Sequence, residues 1–580
     1  MRVCQQLMMM VCSGSACVSL VFAAPPPALD RVPADAPVTI VISNLQEFLN
    51  ETKSFGRSIL PPDQVLQMNM GLALAQTFLD MPGMNANGSA VAVIHTNDQD
   101  AFFGPPVVVV LPVTDFKQVR EALGATGTGT VLEADINNNP VYMRDLGGGF
   151  MAVGPFAELV QEFSGTAGNL GTHTSMLGRN GERVLADSDF TVIVNLEQMA
   201  PQIREGAEQM RQQMDMIMMM AGDQAAQMRP MLDMMNGAMT ALANDGKSIA
   251  FGAQMDTSGL TFHTGLNFKE GSGAATFFSN SGSTGSMLDK VPGTNFLFAY
   301  ALDAGNASLQ KMFADVAKIS QTMPGMGGMD IASMIANSKG MAGAVGTVPM
   351  MGAGLFSNTI TLTQSNDAKS VLANMKKLMT DMDGQSIEGM KYAITWEDKA
   401  SSVAGVDISR YGVAMQPDGT GGDAFGPAAM VLPVLFGPSG GPNGFMAIVD
   451  GTIIQTMSQN TPLMEKAIES ARKGGGIGSN AALRAVTAKL PENRVFEVYI
   501  GIDQIMNTAG PMAATFGVLP AFEPMPAMAP IGLGMSLGNN GMQTSIHMPL
   551  DVIKGVMKIA NDMQNAGFDD EPAAGGRPRF

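Results

Sequence analysis

The chain has 580 residues, a formal net charge of −18, a hydrophobic fraction of 46% and three cysteines. An acidic surface of that size repels nucleic acid and anionic headgroups, which argues against a phosphate-reading role. Cys4, Cys12 and Cys17 all precede residue 24, so the rest of the chain has no cysteine nucleophile, thiolate metal site or disulfide.

The first residues read as an export signal. Arg2 is followed by an apolar stretch from Leu7 to Phe22, and Val21-Phe22-Ala23 places small residues where a signal peptidase reads, with cleavage after Ala23. The prolines of the 24–31 linker cannot continue a helix, and no later run is long and clean enough to span a bilayer. The expected location is therefore periplasmic, cell-envelope or extracellular, with no transmembrane span after cleavage.

A strand running into an amphipathic helix then recurs four times, at Val38–Leu45, Phe190–Leu196, Phe296–Leu302 and Val495–Ile502, each behind a small turn cluster. In the first copy, Val38–Ile42 is a β-branched strand. Helices are expected at 46–59 and 62–81, strands at 89–96 and 106–112, and a helix through Ala122 with Asp115 as N-cap. The second copy carries the strands 248–255 and 260–267 around the turn Asp256-Thr257-Ser258-Gly259. The third has strands near 342–350 and 354–363 and a helix at 368–382. The fourth has the hairpin 531–537/542–548 around Gly538-Asn539-Asn540-Gly541 and a closing helix at 551–563.

Hairpin-rich bridges separate the copies, and Gly149-Phe150-Met151-Ala152-Val153 in one nearly repeats Gly444-Phe445-Met446-Ala447-Ile448 in the other. The expected build is α+β with mainly antiparallel sheets, in two homologous halves, with Met-rich helices covering one face of each sheet. The first half spans 32–282, with units 32–125 and 184–282. The second spans 290–566, with units 290–382 and 490–566 and a bridge 385–486 that includes a Gly/Pro-rich loop at 416–444. Residues 567–580 read as a disordered tail.

Short five-residue motifs carry a resemblance. Val32-Pro33-Ala34-Asp35-Ala36, Val291-Pro292-Gly293-Thr294-Asn295 and Leu490-Pro491-Glu492-Asn493-Arg494, with the repeat plan behind an export signal, resemble exported bacterial proteins carrying a duplicated domain of unknown function. The resemblance implies an exported location, no established activity and no functional residues.

Methionine is the compositional anomaly, with 51 residues. Many lie in or near the second helical segment of each unit, where the flexible thioether fills gaps between helices and sheets or lines an adaptable apolar groove. Met210, Met214, Met218, Met228, Met231, Met235, Met326 and Met334 are the candidate groove residues. A soft-metal site at Met214-Asp215-Met216-Ile217-Met218 is disfavoured, because residues two apart on a helix do not face each other.

No catalytic, cofactor or metal constellation stands out. His95, His173, His263 and His547 are singletons without zinc spacing, and three of them fall in expected strands. Gly437-Pro438-Ser439-Gly440-Gly441 has the letters of a nucleophile elbow, but the residues after it cannot start a helix. Asp98-Gln99-Asp100 and Asp135-Ile136-Asn137-Asn138 match no calcium loop, and the glycine triplets at 147–149 and 474–476 lack the spacing of nucleotide-binding loops. The leading expectation is a non-enzymatic exported protein of binding or structural type, meeting a protein or amphiphile partner. The alternatives are an amphiphile carrier using the Met-rich groove, and a hydrolase with a carboxylate site between the halves.

Overall fold

A computed structural model describes residues 24–95, 107–136, 139–221, 225–321, 337–348, 354–387, 389–418, 432–515 and 523–565. Residues 1–23, read above as an export signal, and those beyond 565 lie outside them, as do Asp98-Gln99-Asp100 and residues 419–431 of the loop 416–444.

The chain is α+β, and among the described residues its strands join one antiparallel sheet of twenty strands. Near the middle, Gly259–Phe268 pairs with Gly541–Pro549. Outward on one side follow Gly246–Asp256, Phe190–Asn195, Val38–Ile42, Ala90–Ile94, Val107–Pro112, Phe150–Gly154, Asn139–Gly147 and Leu132–Ile136. Outward on the other side follow Ile531–Gly538, Arg494–Ile500, Phe296–Leu302, Ser338–Gly346, Thr359–Ser365, Thr452–Thr456, Asn443–Val449, Val406–Pro417, Met390–Val403 and Ser386–Ile387.

Most expected elements form where their residue patterns place them. Val38–Ile42 alternates half-buried and buried side chains, as a β-branched strand with one core face should. Asp115 caps the helix Phe116–Ala122, accepting from the amides of Lys117 and Gln118. Asn539 and Asn540 both take positive φ, 53° and 61°, which matches the twist of the hairpin they close.

Four corrections stand out. The helix Leu170–Ala186 has no counterpart in the sequence reading, because Gly171, Gly178 and Gly181 dilute its pattern and Gly178 kinks it at φ 59°. It nevertheless buries Met176, Leu177, Val184 and Leu185 against Val41, Val93, Ile193 and Ala250. Gly252 lets it approach, since a Cβ there would lie 2.8 Å from Val184 Cγ1. The strand expected at 354–363 begins only at Thr359, because Leu355 and Phe356 donate their amides to Val434 and Leu435 instead.

The matching pentapeptides occupy non-equivalent strands. Phe150–Gly154 lies beside Val107–Pro112, whereas the strand in the corresponding place beside Thr359–Ser365 is Thr452–Thr456 and not the one holding Phe445. Finally, helices lie on both faces of the sheet. Leu170–Ala186 covers the face of Ala250 and Gly252, while Phe48 of the helix Leu45–Ile59 stacks on Phe190 of the other face, with ring centroids 6.5 Å apart. That second face stays partly open, and Phe251, Phe262, Phe298 and Ile546 are each at least a third exposed on it.

Candidate functional site: a methionine-lined groove

Between Phe190–Asn195 and Gly246–Asp256 the chain makes a helical hairpin, Leu196–Ala221 and Ala225–Asp245. At 26 residues the first helix is about 39 Å long. Asn195 Oδ1 accepts from the Gln198 amide at 3.3 Å and caps it. The base is anchored in the core by Leu196, Ala200 and Ala243. Further out, the half-buried positions on the first helix include Ile203, Ala207, Met214 and Met218, and on the second Leu232, Met239 and Leu242. Steps of three and four put these side chains on one stripe per helix, so the two stripes form a seam.

A cavity of about 200 Å³ opens in that seam, with Met210, Met214, Met218, Met235 and Met239 in its wall beside Ala207 and Leu232. Four candidate residues, Met210, Met214, Met218 and Met235, therefore come together. Met228 and Met231 belong to the second helix, but their side chains lie outside the described residues, as do Met326 and Met334 altogether. Met239 belongs to the same wall; its three–four spacing from Leu232 and Met235 is the signal that places it there. Met216, 59% exposed, points away from the cavity that Met214 and Met218 share, as helical geometry requires of the Met-Asp-Met triplet.

The rim is polar. Arg211 donates to Glu208 Oε1 at 2.6 Å and to Asp215 Oδ2 at 3.2 Å, and Asp233 and Asn236 complete it. The Arg211 guanidinium holds the Glu208 carboxyl down at about 2. Arg211 and Asp215 are about half exposed and keep contact with water, while the thioethers form the apolar part of the wall. The thioethers offer a polarisable, rotatable surface. At about 200 Å³ the cavity is smaller than a typical pocket for a whole small molecule and suits one flexible alkyl segment.

The remaining candidates sit elsewhere. His263 and His547 lie in the central strand pair, 5% and 3% exposed, with His263 Nδ1 2.8 Å from Ser545 Oγ and His547 Nδ1 2.9 Å from Thr261 Oγ1. Ser545 is itself 1% exposed, so this hydroxyl–imidazole pair is closed to a substrate. His173 Nε2 hydrogen-bonds the Val32 carbonyl at 3.0 Å. Ser439 stands in a short 3₁₀ turn and donates to Gly441 O at 2.9 Å, so the elbow letters build no elbow.

One carboxylate pair escaped the sequence reading. Glu51, on the helix Leu45–Ile59, is pushed up to about 7 by burial and by Asp189, whose own carboxyl is raised by burial. Asp189 Oδ2 accepts the Met255 amide at 2.7 Å, which holds that carboxyl at the strand end beside the helix. Nothing local in the sequence joins residues 51 and 189.

Among the described residues, no group of three His, Cys, Asp or Glu side chains could hold a metal ion, and no helix is long and apolar enough to cross a membrane. No known protein family, curated protein or solved structure matches this chain.

Proposed function

We propose that this is an exported, non-enzymatic binding protein whose hairpin Leu196–Asp245 takes up one alkyl chain of an amphiphile. The observation that carries the reading is the convergence of five thioethers from two helices on one cavity, whose charged lining residues Arg211 and Asp215 pair with each other. Methionine lines surfaces that must repack around varied apolar partners, and the polar rim would meet the headgroup. We further read the chain as two homologous halves, 32–282 and 290–566. The same strand order on either side of the central pair supports that reading, as does the unit plan of strand, helices and hairpin. The expected location in the envelope, periplasm or medium rests on the residue pattern of 1–23.

The test is titration of the protein with a dansyl-labelled undecanoic acid. Saturable one-to-one binding is expected, with a blue-shifted emission. The double variant Met214→Gln, Met218→Gln should weaken it by about tenfold or more, since two apolar walls become polar. Absence of saturable binding, or an unchanged affinity in the double variant, would overturn the reading.

A further inference from the structure

A second cavity, sharing no residue with the methionine groove, has the opposite chemistry. It measures about 990 Å³ and lies between the helix Phe116–Ala122, the loop 124–131, the strand Asn139–Gly147 and the turn 164–167. Three arginines, Arg31, Arg120 and Arg144, line it against a single carboxylate, Asp145. In a chain of net charge −18 that is a local reversal of sign. Among the described residues none of the three forms an ion pair, whereas Arg183, Arg211, Arg410 and Arg494 all do.

Backbone carbonyls fix two of these guanidiniums. Arg31 Nη1 donates to Leu146 O at 3.0 Å and to Gly165 O at 3.4 Å. Arg144 donates through Nη1 to Gln161 O at 2.7 Å and through Nη2 to Phe163 O and Ser164 O. Gly148, at φ 61°, admits the Arg31 fork, because a Cβ there would stand 2.1 Å from Nη2. Neutral carbonyls orient a guanidinium without cancelling its charge, and each fork has five N–H donors, so both arginines keep capacity for an anion. Arg120 is exposed, and among the described residues it forms no ion pair. The rest of the wall supplies hydroxyls from Thr128, Thr130, Ser164 and Thr166 and the open backbone of Gly127 and Gly129.

We infer that this cleft binds a small polyanion carrying two or more tetrahedral oxyanion groups, phosphate or sulfate esters on a hydroxylated scaffold. Guanidinium forks match tetrahedral oxyanions in two-point hydrogen bonds, and three of them across one cleft ask for more than one such group. The hydroxyls suit the scaffold between the charged groups, and the volume is too large for a single phosphate.

Isothermal titration of the whole protein at 150 mM salt, near-physiological screening, with inorganic tripolyphosphate and separately with sucrose octasulfate, distinguishes the two sources. One of them is expected to bind one-to-one with Kd below about 1 mM. Arg120→Gln, at an exposed position, should weaken that binding by about tenfold. Thr130→Glu, which adds a negative charge to the wall without touching the carbonyls that hold Arg31 and Arg144, should do the same. Arg211→Gln, at the other site, should leave it unchanged. Failure of both probes to bind by about 1 mM, or equal affinity in wild type, Arg120→Gln and Thr130→Glu, would overturn the assignment. Neither outcome bears on the methionine groove, which the fatty-acid titration tests alone.

Discussion

Glu497 shows how single residues hold this sheet together. It is 3% exposed, yet its carboxylate accepts Thr284 Oγ1 at 2.8 Å, Arg494 Nε at 2.8 Å and the Tyr499 hydroxyl at 2.9 Å. Burial with Glu497 beside it also raises the Tyr499 phenol well above its ordinary value. Three donors around one buried carboxylate make its removal costly, because Thr284 Oγ1 and Arg494 Nε then lose their acceptor and the Tyr499 hydroxyl keeps only Thr487 Oγ1, at 2.7 Å. Glu497→Ala is expected to lower stability by about 3–5 kcal/mol in urea unfolding, and Glu497→Gln by less. A loss under about 1 kcal/mol would mean that water takes over the acceptor role. This site shows what the sequence hides. Arg494 and Tyr499 are near neighbours in the chain, but Thr284 reaches Glu497 from 213 residues away. The same holds for His263 and Ser545, 282 residues apart, which no motif spacing can join.

Elements were more legible than contacts. Strands with strict alternation and β-branched residues announce themselves, and so do helices with an Asp or Asn cap, because both signals are local. The helix Leu170–Ala186 was not, since its glycines serve close packing onto the sheet and weaken its helical signature at the same time. The groove was half legible. Methionine density marked the helices, but only the antiparallel pairing of the hairpin selects which methionines share a wall. That hairpin is also separable from the fold. Its base is tied down by Leu196, Ala200, Ala243 and the bond from the Ala274 amide to Asp245 Oδ2 at 3.1 Å, whereas Met216, Met219 and Met234 farther out are exposed. Replacing residues 207–236 with a short Gly-Ser linker should therefore leave the thermal midpoint within about 4 °C of the full chain, the shift expected for roughly 1–2 kcal/mol in a chain this large. The same variant should lose fatty-acid binding. Collapse of the near-ultraviolet circular dichroism would show instead that the hairpin is part of the core.

At the scale of the whole molecule, everything meets at one strand pair. Thr261-Phe262-His263 and Ser545-Ile546-His547 face each other in antiparallel register, so each histidine finds the other strand's hydroxyl on the buried face while Phe262 and Ile546 pair on the open one. The Lys489–Asp256 ion pair, 2.5 Å long, crosses the same boundary. Strand order is a global property, and the sequence could suggest it only through the repeats; which strands meet in the middle needed the structure. Burial here has a consequence for acid stability. His263 is held down at about 4 by burial, with Lys489 and His547 adding repulsion, and burial lowers His547 as well. Because the folded pKa lies below the unfolded value of about 6.5, the unfolded chain takes up the proton first. The contribution to stability is therefore complete above pH 6.5 and is lost as pH falls towards 4, on the order of 3 kcal/mol for His263. Glu51 works against it: its raised pKa costs stability as pH climbs from about 4.5 to 7. The comparison must accordingly be made between variants. His263→Asn, which can still bond the Ser545 hydroxyl, is expected to lose less stability than wild type between pH 7 and pH 4.5, read as the shift in urea midpoint. Equal shifts in both proteins would move the acid sensitivity away from the central strand pair, to the buried His173, whose own pKa burial also lowers.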